Sequence, residues 1–381
     1  MIPAKRIHTV EEYYFSRKLR EVRGLVAAGK NIINLGIGSP DLQPPAIVVE
    51  ALEASLQDET AHKYQSYQGM PALRNAIADF YQKNYNVSLD TETEVLPLMG
   101  SKEGIMHISM AYLDEGDEVL IANPSYPTYT SVTKLLGAIP NYYNLDANNN
   151  WLPNLKEIAK QDLSKVKLMW VNYPHMPTGA KASKAFFEEL ITFAKKHQIL
   201  IINDNPYSFI LNEEPLSILS IDGAKEVALE LNSLSKSFNM AGWRTGMVMG
   251  KAEHIQHVLK VKSNMDSGMF YGIQKGAIKA LESSSEWFTN LNKIYKKRRK
   301  LIWELATKLH CEFSTETAGM FVWAKLPADN QLSSEAFVDK LLYEKDVFIT
   351  PGSIFGTQGE GYIRFSLCVS EEKIKEVIQR I

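Results

Sequence analysis

The chain has 381 residues, 45% of them hydrophobic and 23% charged, with a formal net charge of −2. That length suits two to three units of roughly 150 residues, and the near-balance of charge excludes the basic stripe of a nucleic-acid binder. Two isolated cysteines, Cys311 and Cys368, make no CxxC pair or disulfide framework, and no window approaches the roughly 18 consecutive apolar residues of a membrane span, so a cytoplasmic protein is expected.

Residues 1–30 read as polar, basic and helical. Within them Gly24-Leu25-Val26-Ala27-Ala28-Gly29-Lys30 imitates most of a P-loop, but Asn31 replaces the magnesium-binding hydroxyl and no strand precedes it, so a helix end is expected. An extended stretch and a Pro/Gly loop follow. From about 45 to 275 helical and strand patterns alternate. Residues 71–85 carry Leu73, Ile77 and Phe80 or Tyr81 at helical spacing, with Pro71 suited to the first helical position. Residues 184–197 repeat that texture. Short apolar runs lie at 118–124, 168–174, 199–204, 229–235 and 246–250. Continuous apolar runs between helices predict a buried, mostly parallel sheet, hence an α/β fold. From about 276 a long helix (roughly 283–310) leads into a smaller α+β region. Its basic run, Lys296-Lys297-Arg298-Arg299-Lys300, is expected to be a solvated helix face. The expected division is 1–40, packing with the small domain; 41–275, the large domain; and 276–381, the small domain.

Ligands of open α/β sheets bind beyond the carboxyl ends of the strands. There the sequence places Asn123-Pro124-Ser125-Tyr126, Asn172 to Gly179, Asn203-Asp204-Asn205-Pro206-Tyr207, and Ser233-Leu234-Ser235-Lys236. No His, Cys, Asp or Glu cluster has metal-ligand spacing, so no metal is expected. A carbonyl cofactor fits better, because lysine forms imines and a carboxylate is the usual partner of the pyridinium nitrogen of pyridoxal 5'-phosphate (PLP).

The run Ser233-Leu234-Ser235-Lys236-Ser237-Phe238-Asn239-Met240-Ala241-Gly242-Trp243-Arg244-Thr245-Gly246 resembles the lysine signature of class I/II aminotransferases, PLP enzymes of fold type I. The likeness runs over roughly residues 30–380. It implies a large domain with a mostly parallel sheet and a smaller α+β domain. It also implies transfer of an amino group between an amino acid and a 2-oxo acid. Lys236 matches the Schiff-base lysine, where a lysine taken at random is a solvated surface residue. Asp204 matches the pyridine-nitrogen partner, its alternative being a helix cap. Tyr207 matches the phenol that serves O3′, its alternative being a packed core tyrosine. Arg244 and Ser233 match phosphate ligands, and Ser101 and Lys102 join them by position at a helix start after Gly100. Tyr126 is placed to stack on the pyridine ring. Tyr64 resembles a tyrosine that family dimers lend to the partner's phosphate, which implies a homodimer. Arg364 matches the substrate α-carboxylate ligand and Gly38 a glycine whose backbone lies along the substrate.

One position departs from the pattern. Met176 stands in Met176-Pro177-Thr178-Gly179 where the family has an asparagine that donates to O3′. O3′ is therefore expected to rely on Tyr207, raising the imine pKa relative to a Met176→Asn variant; His175, donating from a shifted position, is the alternative. Within the family, the segments around Lys262–Phe270 and Phe355–Phe365 resemble the subgroup holding LL-diaminopimelate, alanine, aspartate and aromatic or methionine aminotransferases, most strongly the LL-diaminopimelate enzymes. A β-eliminating PLP lyase is the alternative activity. The S-x-x-K match at Ser233–Lys236 lacks the S-D-N and K-T-G elements of a serine acyl-enzyme.

Overall fold

The apolar runs between helices assemble into one seven-stranded sheet in the computed structural model, which describes residues 1–381. Its strands are β1 (Val95–Leu98), β2 (Glu118–Asn123), β3 (Ile139–Asn144), β4 (Val166–Val171), β5 (Leu200–Asp204), β6 (Ala228–Ser233) and β7 (Gly246–Met249). Their spatial order is β1-β7-β6-β5-β4-β2-β3. β7 runs antiparallel to both neighbours, and every other pair is parallel. The fold is the expected α/β arrangement with a mostly parallel sheet.

β5 and β6 are buried along their whole length; β5 opens on an apolar run, while β6 interleaves Glu230 and Asn232 with its leucines. Side chains still alternate between the faces: Val119 and Ile121 join one core, and Leu120 joins the other. β1 and β3 were not anticipated. Both are edge strands carrying a proline, Pro97 and Pro140, and β3 buries only Tyr143. Edges tolerate proline and polar residues, so β3 carries no apolar run, whereas β1 is apolar and buried but only four residues long and broken by Pro97. β6 also stops earlier than expected. Ser233 turns its hydroxyl to the backbone N–H of Ser235, and Leu234–Ser237 forms one helical turn.

The helices expected at 71–85 and 184–197 span Pro71–Tyr85 and Lys184–His197. Near the N-terminus only Tyr14–Ala27 is α-helical, with Lys5–Thr9 in 3₁₀ form. The P-loop imitation is a helix end, closed by Gly29 at φ 92°.

A four-stranded antiparallel sheet holds Glu312–Phe313, Phe321–Lys325, Thr350–Pro351 and Tyr362–Ser366. Its core also takes in Val22, Ile33 and Leu35, and Ile33–Asn34 pairs in parallel with Val347–Phe348. The long helix Ser285–Lys308 packs here, and it corrects the reading of the basic run. Arg298 follows buried Tyr295 by three residues and precedes buried Ile302 by four, so helical periodicity turns it inward. Its guanidinium grips Asp41 at 2.7 and 2.9 Å. Arg299 donates to the Thr317 carbonyl at 2.8 Å and lies over Trp303. Only Lys296, Lys297 and Lys300 form a solvated face. No helix is long and apolar enough to cross a membrane.

Candidate active site

A cavity of about 320 Å³ opens at the carboxyl ends of β4, β5 and β6. Most residues singled out from sequence line it: Gly38, Ser101, Lys102, Tyr126, Asp204, Tyr207, Ser233, Lys236, Arg244 and Arg364. Tyr64 does not; it is 90% exposed.

Lys236 is delivered by the helical turn that ends β6. Its Nζ donates to the Gly38 carbonyl at 2.6 Å and has no carboxylate partner. Burial lowers its pKa, the arginines Arg364 and Arg244 add to that, and Cys368 and Asp204 oppose it. Asp204 closes β5 and is 5% exposed. One carboxylate oxygen accepts from Tyr129 at 2.7 Å, while Oδ1 has no hydrogen-bond partner in the protein. Burial pushes its pKa up to about 7, against the pull of the Tyr129 hydroxyl and the Lys236 charge. Tyr129 is itself fixed by stacking flat on Trp170, centroids 4.8 Å apart, and meets the Tyr126 ring edge-on.

The anion-binding end lies between β1 and β7. Gly100 has φ 94°, and a Cβ there would fall 2.3 Å from Arg244 Nη2, so only glycine lets the guanidinium pass. Ser101 and Lys102 open the helix Ser101–Tyr112, whose first N–H groups are free of intrahelical partners. Lys102 Nζ rests 4.7 Å over the Tyr13 ring.

Arg364 sits on the opposite wall, 4% exposed and without an acidic partner. It donates to the Gly36 carbonyl at 2.8 Å and to the Met176 sulfur at 3.2 Å, and its Nε is unpartnered. The rings of Phe321 and Phe355 lie 3.9 and 4.8 Å from its guanidinium carbon. Burial lowers its pKa to about 10. A Cβ on Gly38 would fall 2.3 Å from Phe321 Cζ, so a side chain there would dislodge the ring that holds Arg364.

His175 does not replace the missing asparagine. It is 4% exposed, pairs through Nδ1 with Thr178 Oγ1 at 2.8 Å, and lies outside the cavity. Burial depresses its pKa to about 3, leaving the imidazole neutral. Asn172 does reach the cavity, with its amide nitrogen on the Asp204 carbonyl and its amide oxygen on the Met176 N–H.

Sequence reasoning missed Tyr13, Phe15, Tyr129, Phe321 and Phe355, all in the cavity wall. Tyr129 lies one helical turn beyond Tyr126, a spacing that marks it; Tyr13 and Phe15 come from the N-terminal helix and carry no local signal. Sequence reading also found no metal-ligand grouping, whereas Glu103, His107 and Asp266 bring ligand atoms within 4.8 Å of one another. Lys262 Nζ stands 2.9 Å from Asp266, so an ammonium already supplies the positive charge there.

The residues present fit PLP. The orphaned Oδ1 of Asp204 suits a pyridinium N–H, Lys236 offers an ε-nitrogen, and Arg244 with the helix start suits a phosphate. The sequence profile of the family "Aminotransferase class I and II" matches residues 30–381. LL-diaminopimelate aminotransferases from Dehalococcoides mccartyi and Aquifex aeolicus are 42% and 39% identical, each over 99% of this chain and 97% of the relative. Substrate-bound BacF from Bacillus subtilis superposes with a TM-score of 0.95 at 36% identity, covering 100% of this chain and 97% of that one. A Thermus thermophilus aspartate aminotransferase double mutant gives 0.92 at 25% identity, covering 100% and 98%. These similarities lend no support to a lyase. The chain belongs to the class I and II aminotransferases, PLP-dependent enzymes of fold type I.

Proposed function

We propose that Lys236 holds the cofactor and carries the proton as an amino group moves between an amino acid and a 2-oxo acid. Bound PLP supplies a conjugated electron sink for the electrons released when a bond at the substrate Cα breaks. Asp204 would pair with the pyridine nitrogen and keep it protonated. Tyr207 would donate to O3′ alone, since Met176 offers no donor. Ser233, Arg244 and Ser101 would bind the phosphate, with Lys102 beside them. Tyr126 would stack on the ring. Arg364 would take the α-carboxylate in its planar fork, with the Gly38 backbone alongside, so that the Cα–H bond faces Lys236. Burial, which lowers the Lys236 pKa, shifts the ε-amine toward the neutral form that accepts that proton. Tyr64, exposed and outside the cavity, would reach the phosphate of a second copy, making the working unit a homodimer. The buried free cysteines Cys311 and Cys368 suit a cytoplasmic setting.

The observation that carries this reading is the convergence of Lys236, Asp204 and Arg364 on one cavity, none of them in a salt bridge. Borohydride reduction followed by peptide mass mapping tests it. The reduced cofactor is expected on Lys236, and Lys236→Ala should lose the adduct and about 10⁴-fold or more in transamination while remaining folded. An adduct on another lysine, or an active Lys236→Ala, would overturn the assignment.

A further inference from the structure

Resting on that reading of the cavity, we propose that the amino donor carries an aromatic or bulky apolar side chain, and that side chains ending in an ammonium are rejected. The charge of the wall argues this first. Asp204 is the only carboxylate among the lining residues, and it is 5% exposed and already bonded by Tyr129. A distal ammonium would enter with no anion to meet it, and a desolvated charge without a counter-ion is strongly disfavoured.

The shape of the wall argues it again. Facing Arg364, the surface is built from Tyr13, Phe15, Ile37 and Phe355. Phe15 and Ile37 also pack against the core of the four-stranded sheet, so the apolar patch is held in place. Lys102 is the one cation besides Lys236, Arg244 and Arg364. It offers a counter-charge to a distal carboxylate, which suits a 2-oxo dicarboxylate as acceptor, but offers none to an ammonium. The loop expected to come from a second copy, Tyr64-Gln65-Ser66-Tyr67-Gln68, is also uncharged, with Tyr64 90% and Tyr67 45% exposed. That loop brings aromatic surface and no acid of its own. LL-diaminopimelate, the substrate in the name of the curated relatives, ends in a carboxylate and an ammonium; Lys102 offers a partner to the first, and the wall has no anion for the second.

Two measurements on the holoenzyme test the proposal. Calorimetry compares unreactive carboxylates, 3-phenylpropionate and 6-aminohexanoate; the first is expected to bind about 30-fold or more tightly than the second. A donor panel with 2-oxoglutarate, read as glutamate formed, compares L-phenylalanine and L-leucine with LL-diaminopimelate and L-lysine. The apolar pair should lead in kcat/KM by about 30-fold or more. Ile37→Glu, which supplies a carboxylate to the wall, should narrow both ratios. Equal or tighter binding of 6-aminohexanoate, or preferred conversion of LL-diaminopimelate or L-lysine, overturns the proposal and leaves the aminotransferase site standing. Conversion of none of the four donors, with no carboxylate bound, overturns both.

Discussion

Arg298 and Arg364 are equally buried, at 4% exposure each, yet their charges are met in opposite ways. Arg298 holds both oxygens of Asp41 and the Leu367 carbonyl. Arg364 has one carbonyl, a thioether and two ring faces. The same contrast separates two lysines: Lys262 is bound to Asp266 at 2.9 Å, whereas Lys236 has only the Gly38 carbonyl. Outside the cavity, each buried cation is neutralised by a carboxylate of the chain. Inside it, two cations and the orphaned oxygen of Asp204 stay uncompensated. The protein gives up stability there to keep groups ready for a ligand's own charges.

The sharpest way to break this contrast is on the paired side. Asp41→Ala leaves Arg298 buried with no counter-ion and should cost about 3–5 kcal/mol. A urea midpoint close to that of the unaltered protein would show that the pair is not structural.

Asp204→Asn probes the uncompensated side. Folding raises the Asp204 pKa from 3.8 to about 7. Between those values the folded carboxyl keeps a proton that the unfolded chain has released. Stability of the cofactor-free protein therefore falls as pH rises through that window and levels off above it. The asparagine variant has no such slope. Without cofactor it should be the more stable form at pH 8, by at most about 4 kcal/mol, and show no gain near pH 4. Melting curves of both cofactor-free proteins at the two pH values decide this; parallel curves would remove the argument.

Arg364→Leu should lower kcat/KM for the amino donor about 100-fold, or roughly 2.7 kcal/mol, because the carboxylate loses its partner. The folded protein should be no less stable, since the charge removed has no acid to leave behind. A variant that loses stability as Asp41→Ala does would place Arg364 with the structural pairs.

The candidate site residues were legible from strand ends and from resemblance to the family's motifs, which alone singled out Arg364. Lys236, Asp204 and Arg364 each follow or lie in an apolar strand, and each belongs to a type rare at such places. The central strands were legible because they are buried on both faces. What the sequence hid was set by partners distant along the chain. Nothing beside Arg298 marks it as the ligand of Asp41, 257 residues away, rather than as one of a run of surface cations. Tyr13 and Phe15 belong to the wall only because their helix packs across the cavity mouth. Of the edge strands, β3 is mostly exposed and carries no apolar run, and β1, though buried, is four residues long with a proline inside.

The connection from β6 to β7 has a consequence for how the chain tolerates change. Ser233 pairs with Gly246, and the Leu234 N–H donates to the Thr245 carbonyl, so both ends of this link are pinned in register. Lys236 and Arg244 hang from the two ends of that one link, like the jaws of a caliper whose opening is set by its length. Adding or deleting a single residue between them would reset the span even with Lys236 and Arg244 themselves unchanged. The number of residues in this stretch is thus a constraint in its own right, beside the identities of Lys236 and Arg244.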